Sequence, residues 1–135
     1  MNVLDASLVT DALVVAGAPG QQARAVLAQQ ARLHVPAILT VEVVSALRAI
    51  LRRGAVDADA AERAARQAVR LRARRYPFEP FVERVWELRD TVTAYDAWYV
   101  ALAEHLGAPL VTADERLRRA SGPRCPVLGP QDALR

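Results

Sequence analysis

The chain of 135 residues contains no lysine, one cysteine and two histidines. Without lysine it cannot form a Schiff base, use a lysine general base or place a P-loop lysine on a phosphate. A single cysteine cannot form an internal disulfide. One cysteine and two histidines are also too few for the usual four ligands of a structural zinc site. These absences exclude several classes of enzyme and metal protein.

Long hydrophobic runs are also missing. No apolar stretch approaches the ~20 residues of a membrane-spanning helix. A signal peptide begins with a basic stretch that is followed by an apolar one. Residues Met1 to Asp5 do not fit that pattern, because they contain a carboxylate and no basic side chain. We therefore expect a cytoplasmic protein, and its length and 53% hydrophobic content fit one compact domain over residues 1–135.

Short Val/Leu/Ile runs alternate with longer Ala/Leu/Arg stretches along the chain. This pattern predicts an α/β fold in which helices cover both faces of a buried parallel sheet. Strands are predicted near residues 1–4, 33–35, 109–112 and 126–128. Helices are predicted near residues 5–15, 21–31, 40–53, 57–75, 81–89, 94–106 and 114–120.

Several residues predict where these elements begin and end. Residues 17–20, with two glycines and a proline, predict a turn, and Thr40 predicts a helix cap. Pro77 and Pro80 predict a brief extended segment, and Gly107 predicts the end of a helix.

Two aspartates directly follow predicted strands. Asp5 comes after Val-Leu and Asp114 after Leu-Val-Thr-Ala, with hydroxyls nearby at Ser7 and Thr112. Ligands collect at the carboxyl ends of strands in parallel α/β sheets, so these positions favour a functional site. Taken singly, each aspartate is equally well explained as a helix N-cap.

Two further acids stand in the first turns of predicted helices. Glu42 opens the helix after Pro36, and Asp96 begins a largely apolar helix that also carries Tyr95, Trp98 and Tyr99. These three aromatics are interpreted as packing residues rather than base-stacking ones. Each acid alone could be explained by a favourable interaction between its negative charge and the helix dipole.

Gathering the four acids at one edge of the sheet would have an electrostatic cost. Their like charges would repel at close range, and a hard divalent cation would relieve that repulsion. Carboxylate-held Mg²⁺ can activate water and neutralise charge on a phosphodiester, so hydrolysis would need no histidine base. The candidate metal ligands and catalytic residues are Asp5, Glu42, Asp96 and Asp114.

Four segments together resemble the ordered motifs of PIN-domain ribonucleases, most closely the VapC-type toxins of toxin–antitoxin systems. They are Val-Leu-Asp-Ala-Ser, Val-Glu-Val-Val-Ser-Ala-Leu, Tyr-Asp-Ala-Trp-Tyr-Val-Ala-Leu-Ala-Glu and Leu-Val-Thr-Ala-Asp-Glu-Arg-Leu. The resemblance implies a three-layer α/β/α PIN-like domain with a central parallel sheet. It also implies Mg²⁺- or Mn²⁺-dependent endoribonuclease activity, a cognate antitoxin protein and a homodimer.

The same resemblance maps the four acids onto the family's acidic quartet, with Thr112 as the accompanying hydroxyl. Thr112, Ser7 and Ser45 are the residues expected to support the acids through hydrogen bonds. Many members carry Asn one turn after the glutamate, where this chain has Ser45. The hydrogen bonding around Glu42 therefore stays open at this stage.

The cationic side chains, all 18 of them arginine, give a formal net charge of +3 and favour an acidic or polyanionic partner. Four recur at helical spacing in the predicted helix that ends near residue 75. They predict one basic stripe, either a set of RNA contacts or a solvated helix face. The four are Arg63, Arg66, Arg70 and Arg74.

Two other functions are compatible with an α/β fold. One is a catalytically silent PIN-like module that binds RNA or protein, which the loss of a quartet acid would favour. The other is a phosphoacceptor receiver-like domain with Asp5 or another strand-end aspartate as acceptor. The missing lysine argues against a receiver, and the complete quartet favours the nuclease.

Overall fold

The computed structural model describes residues 1–135 as five short strands and eight α-helices. The strands are β1 (Val3–Leu4), β2 (Leu33–Pro36), β3 (Ala73–Tyr76), β4 (Leu110–Val111) and β5 (Val127–Leu128). The helices are α1 (Ala6–Val14), α2 (Gly17–Ala28), α3 (Leu39–Arg52), α4 (Ala58–Arg70), α5 (Val82–Glu87), α6 (Ala94–Leu106), α7 (Glu115–Arg119) and α8 (Pro130–Ala133).

All strand pairs are parallel. In one group β4 lies between β1 and β5, with Val3 opposite Leu110 and Leu4 opposite Val111. In the other, β2 pairs with β3, and β1 and β2 are neighbours in space. Helix α6 contacts β1, β2 and β4, while α1 contacts α2, α3 and α4. The predicted α/β class with a parallel sheet is confirmed.

The residues of β1 and β4 are buried because helices cover the sheet. Val3, Leu4, Leu110 and Val111 are all fully inaccessible to solvent, as expected of parallel strands covered on both faces. The register of β1 against β4 therefore places Asp5 and Thr112, the residues that follow the two strands, next to each other. No helix is both long enough and apolar enough to cross a membrane.

The predicted boundaries of α6 are confirmed. The helix runs from Ala94 to Leu106, the Thr93 hydroxyl accepts a hydrogen bond from the Asp96 backbone N–H at 3.2 Å, and Gly107 ends the helix with a φ of +63°. The left-handed conformation of Gly107 is one that glycine adopts without a steric cost.

Two predicted boundaries near the N-terminal half are wrong. Residues 17–20 form the first turn of α2 rather than a separate turn. Thr40 lies inside α3, whose N-cap is Ile38, and its hydroxyl instead accepts a hydrogen bond from Arg75 at 3.2 Å. A tertiary contact with β3 thus uses the side chain that the sequence predicts as a cap.

The prediction of one helix up to residue 75 is also wrong. Helix α4 ends at Arg70, and residues 73–76 form β3 because pairing with β2 satisfies their backbone groups. Two backbone hydrogen bonds of 2.9 Å flank the pair: the Leu33 N–H donates to the Arg72 carbonyl, and the Ala37 N–H donates to the Tyr76 carbonyl. Tertiary pairing overrides local helix preference here. The predicted extended segment after it contains a 3₁₀ turn, Glu79–Phe81.

Candidate active site

Asp5 lies where β1 passes into α1 and is only 5% exposed. Its Oδ1 accepts the Ala6 N–H at 2.7 Å, so it caps α1 as the N-cap interpretation requires. Its Oδ2 accepts the hydroxyls of Thr112 at 2.7 Å and Ser7 at 3.0 Å. Three donors therefore hold one buried carboxylate in a single orientation, which is more than a helix cap needs.

The two hydroxyls that hold Asp5 also organise the end of β4. Their oxygens lie 3.2 Å apart, Ser7 Oγ accepts the Ala113 N–H at 3.2 Å, and Thr112 Oγ1 accepts the Asp114 N–H at 3.0 Å. Asp114 in turn caps α7, with its Oδ1 accepting the Arg116 N–H at 2.9 Å. One hydrogen-bonded network thus joins the ends of β1 and β4 and orients Asp114.

Glu42 and Asp96 lie on two different helices, in the first turns of α3 and α6. The Tyr99 hydroxyl donates to Glu42 Oε1 at 2.7 Å. Asp96 and Asp114 together line a surface cavity of about 180 Å³ that also includes Arg116. The structure therefore draws α3, α6 and the start of α7 around the end of the sheet.

The acids influence one another's protonation. Burial raises the pKa of Asp5, and the charge of Asp114 raises it further. The hydrogen bonds that Asp5 accepts lower its pKa but do not cancel the rise. Burial and then the charges of Asp5 and Asp96 raise the pKa of Glu42. Burial, Asp5 and Asp114 raise the pKa of Asp96 from 3.8 to about 6. Asp5 is therefore electrostatically coupled to each of the other three predicted acids, and this mutual repulsion disfavours further negative charge.

The site offers only oxygen donors, which suit a hard divalent cation. No three His, Cys, Asp or Glu side chains are positioned to hold one ion together. Mg²⁺ commonly binds through one or two carboxylates and keeps several waters. The residues present therefore fit a partly hydrated divalent cation rather than an ion enclosed by protein ligands.

Ser45 and Tyr99 differ from expectation. Ser45 lies one turn after Glu42 but is exposed and makes no hydrogen bond with it. Tyr99, which the sequence suggests only as a packing residue, is fully buried and supplies the hydrogen bond to Glu42. The signal for it was present, because a phenol in an apolar helix usually needs a polar partner when buried.

The predicted stripe on one helix includes three of the four arginines and not Arg74. Arg63, Arg66 and Arg70 are exposed on α4, where Arg66 pairs with Glu62 at 2.9 Å. Arg74 lies instead on β3, with its guanidinium 5.1 Å from the centre of the Tyr76 ring. The correction follows from the end of α4 at residue 70, which removes Arg74 from the helical spacing.

Comparisons with known proteins identify the family of this chain. The family model described as PIN domain matches residues 3–123. Ribonuclease VapC9 of Mycobacterium tuberculosis is 43% identical over 127 residues, which are 94% of this chain and 96% of the relative. Ribonuclease VapC12 of the same species is 37% identical over 122 residues, covering 90% of this chain and 93% of the relative.

A solved structure shows the same fold at lower identity. The crystal structure of Mycobacterium tuberculosis VapC20, described as a Sarcin-Ricin loop cleaving toxin, has a TM-score of 0.65 and 17% identity, and the match covers 87% of this chain and 92% of that one. The resemblance seen in the four motifs is confirmed. The chain belongs to the PIN-domain family, among the VapC ribonucleases.

Proposed function

We propose that this protein is a divalent-metal-dependent endoribonuclease that acts as the toxin of a toxin–antitoxin system. One observation carries the proposal: Asp5 is buried at the junction of β1 and β4 under three hydrogen-bond donors, within electrostatic range of Asp114, Glu42 and Asp96. A carboxylate held this firmly among other acids suits cation binding. The ribonuclease names of the relatives support RNA as the substrate.

The residues that would hold Mg²⁺ or Mn²⁺, directly or through metal-bound water, are Asp5, Asp96 and Asp114. Glu42 would serve as a further ligand, a water orienter or a proton acceptor. When bound, the cation would activate water and stabilise charge on the phosphate oxygens. Its coordination would use some of the four carboxylates and retain water, as the spacing of the side chains favours. Cleavage is expected to leave a 5′-phosphate and a 3′-hydroxyl.

Each side chain has a distinct task in this proposal. Thr112 and Ser7 keep Asp5 pointing into the site, and the cap on α7 keeps Asp114 beside it. Asp96, whose pKa is about 6, is mostly ionised at neutral pH and becomes protonated in mild acid. The proposed site therefore gains negative charge, and with it cation affinity, as the pH rises through that value.

The partners in the proposal are an RNA substrate, a cognate antitoxin protein and a second copy of the chain in a homodimer, all in the cytoplasm. An antitoxin arginine reaching the acids would replace the charge of the cation with a guanidinium. The product of an adjacent gene should then co-purify with the protein and inhibit cleavage. A protein that stays monomeric by light scattering and neither binds nor is inhibited by that product would contradict the toxin role, but not the nuclease role.

The nuclease proposal is tested with Asp96→Asn, which keeps the shape of the side chain and removes a negative ligand. We expect RNA cleavage in Mn²⁺ to fall by about 100-fold or more, with unchanged circular dichroism. Asp59→Asn is the matched control, because Asp59 is an exposed acid in the first turn of α4. Cleavage that survives excess chelator would reject the metal mechanism. A folded wild-type protein that binds RNA but never cleaves it would instead identify a silent binding module.

A further inference from the structure

Glu42 is held in a different way from Asp5. Asp5 accepts hydrogen bonds from one backbone N–H and two hydroxyls. The Glu42 carboxylate accepts one, from the Tyr99 hydroxyl to Oε1 at 2.7 Å. A glutamate side chain has three rotatable bonds and would sample several rotamers without such a contact. The orientation of Glu42 therefore depends on a single donor.

Tyr99 is suited to that role by its surroundings. Its side chain is fully buried in α6, one helical turn after Asp96. A phenol keeps its proton at neutral pH, so the Tyr99 hydroxyl remains a donor to Glu42. The ring is fixed by packing in the core, which makes the position of the hydroxyl rigid.

Nothing on α3 itself replaces this contact. Ser45, one turn after Glu42, is exposed and gives no hydrogen bond to the carboxylate, and the Thr40 hydroxyl is engaged by Arg75. The bond from Tyr99 also joins α3 to α6. It therefore sets the position of Glu42 relative to Asp96, which lies on the same helix as Tyr99.

We propose that Tyr99 is a positioning residue that fixes Glu42 by occupying Oε1 and leaves Oε2 free to face the divalent cation. In this arrangement Tyr99 performs from α6 the orienting task that a polar residue one turn after Glu42 could perform from α3. The inference rests on the proposed function, since it concerns the cation-binding role of Glu42.

The test removes only the hydroxyl, with Tyr99→Phe. We expect the Mn²⁺ concentration that half-saturates the protein, read from the rise in melting temperature and from isothermal titration calorimetry, to increase about 10-fold. We expect kcat at limiting Mn²⁺ to fall while KM for RNA stays unchanged. Tyr76→Phe is the matched control, because it deletes a phenol hydroxyl that is not bonded to any of the acids. The Tyr76 hydroxyl lies 2.8 Å from His34 Nδ1. That variant should bind Mn²⁺ like wild type.

A double-mutant cycle separates positioning from general destabilisation. In a Glu42→Gln background the Mn²⁺ affinity should no longer respond to Tyr99→Phe. The role of Tyr99 is overturned if Tyr99→Phe binds Mn²⁺ as wild type does, if Tyr76→Phe causes the same loss, or if the loss persists undiminished with Glu42→Gln. A wild-type protein that does not respond to Mn²⁺ at all would overturn the proposed function, and the role of Tyr99 with it.

Discussion

The Thr112 hydroxyl donates a hydrogen bond of 2.7 Å to Asp5 Oδ2, across 107 positions of the chain. Thr112 is fully buried at the end of β4, and Asp5 is buried at the end of β1. The bond exists because the parallel register sets Leu4 opposite Val111. Strand pairing thus determines the orientation of a carboxylate in the proposed active site.

Thr112→Val keeps the shape of the side chain and deletes this donor. We expect a loss of about 1–2 kcal/mol in the free energy of unfolding, because Asp5 Oδ2 and the Asp114 N–H each lose a buried partner. The Mn²⁺ dependence of cleavage should shift to higher concentration. Urea unfolding and metal titration measure the two effects.

Thr10→Val is the control for that substitution. Thr10 is also buried, but its hydroxyl bonds to the Ala6 carbonyl within α1 at 2.8 Å. The control should lose stability without a change in Mn²⁺ dependence. An equal metal shift in both variants would mean that Thr112 affects the site only through overall stability.

Asp114→Asn and Asp114→Ala separate a cap from a metal ligand. Asparagine caps helices about as well as aspartate, whereas alanine costs about 1 kcal/mol. Without metal, Asp114→Asn should melt no lower than wild type, since it relieves repulsion with Asp5 and Asp96. A cation at 100 times its dissociation constant stabilises by about 2.7 kcal/mol, and this gain should shrink in both variants.

Thermal melts with and without Mn²⁺ give the answer for Asp114. If Asp114→Asn were much less stable without metal and still responded fully to Mn²⁺, Asp114 would be a structural cap alone. Its place among the catalytic residues would then have to be withdrawn.

The raised pKa of Asp96 predicts a pH dependence of stability. Because its pKa is about 6 in the folded protein and near 3.8 when unfolded, the folded state binds more protons between these values. Protonation of Asp96 therefore stabilises the folded protein at low pH, and this contribution to the free energy of unfolding is lost as the pH rises through about 6. Metal-free wild type should lose melting temperature relative to Asp96→Asn between about pH 4 and pH 6.5.

Mn²⁺ should reverse that trend in wild type. Binding requires ionised carboxylates, so the Mn²⁺-induced rise in melting temperature should grow with pH over the same interval. Melts of the two proteins in matched buffers test both statements. A constant difference between wild type and Asp96→Asn across the interval would contradict the shifted titration of Asp96.

The arginines of α4 provide a separate prediction about RNA. Arg63 and Arg70 are exposed and form no ion pair. Replacing both with Gln in the catalytically inactive Asp96→Asn protein should therefore weaken its affinity for RNA. The slope of log affinity against log salt should fall by about 0.7 for each phosphate of single-stranded RNA that the variant no longer neutralises. Arg32→Gln/Arg74→Gln removes equal charge outside α4, because Arg32 precedes β2 and Arg74 lies in β3. An equal loss of affinity in both pairs would mean general charge attraction, and an unchanged slope in the α4 pair would identify a solvated helix face.

The sequence by itself determined which four acids are candidates for the site and which helices and strands lie beside them. Strand residues such as Val3 and Val111 are apolar because both faces of the sheet are covered, so their pattern is readable without a structure. The end of helix α6 was predicted because Gly107 is a local stop signal. Family membership followed from these local motifs and is confirmed.

Only the tertiary structure decided the contacts between distant segments. Residues 73–76 have a helical neighbourhood in sequence but become β3 because β2 offers backbone partners, and this moves Arg74 away from the α4 stripe. The hydrogen bond between Tyr99 and Glu42 spans 57 positions and depends on how α3 and α6 pack. Such contacts arise from the packing of whole elements, and local residue patterns do not encode which donor will meet which acceptor.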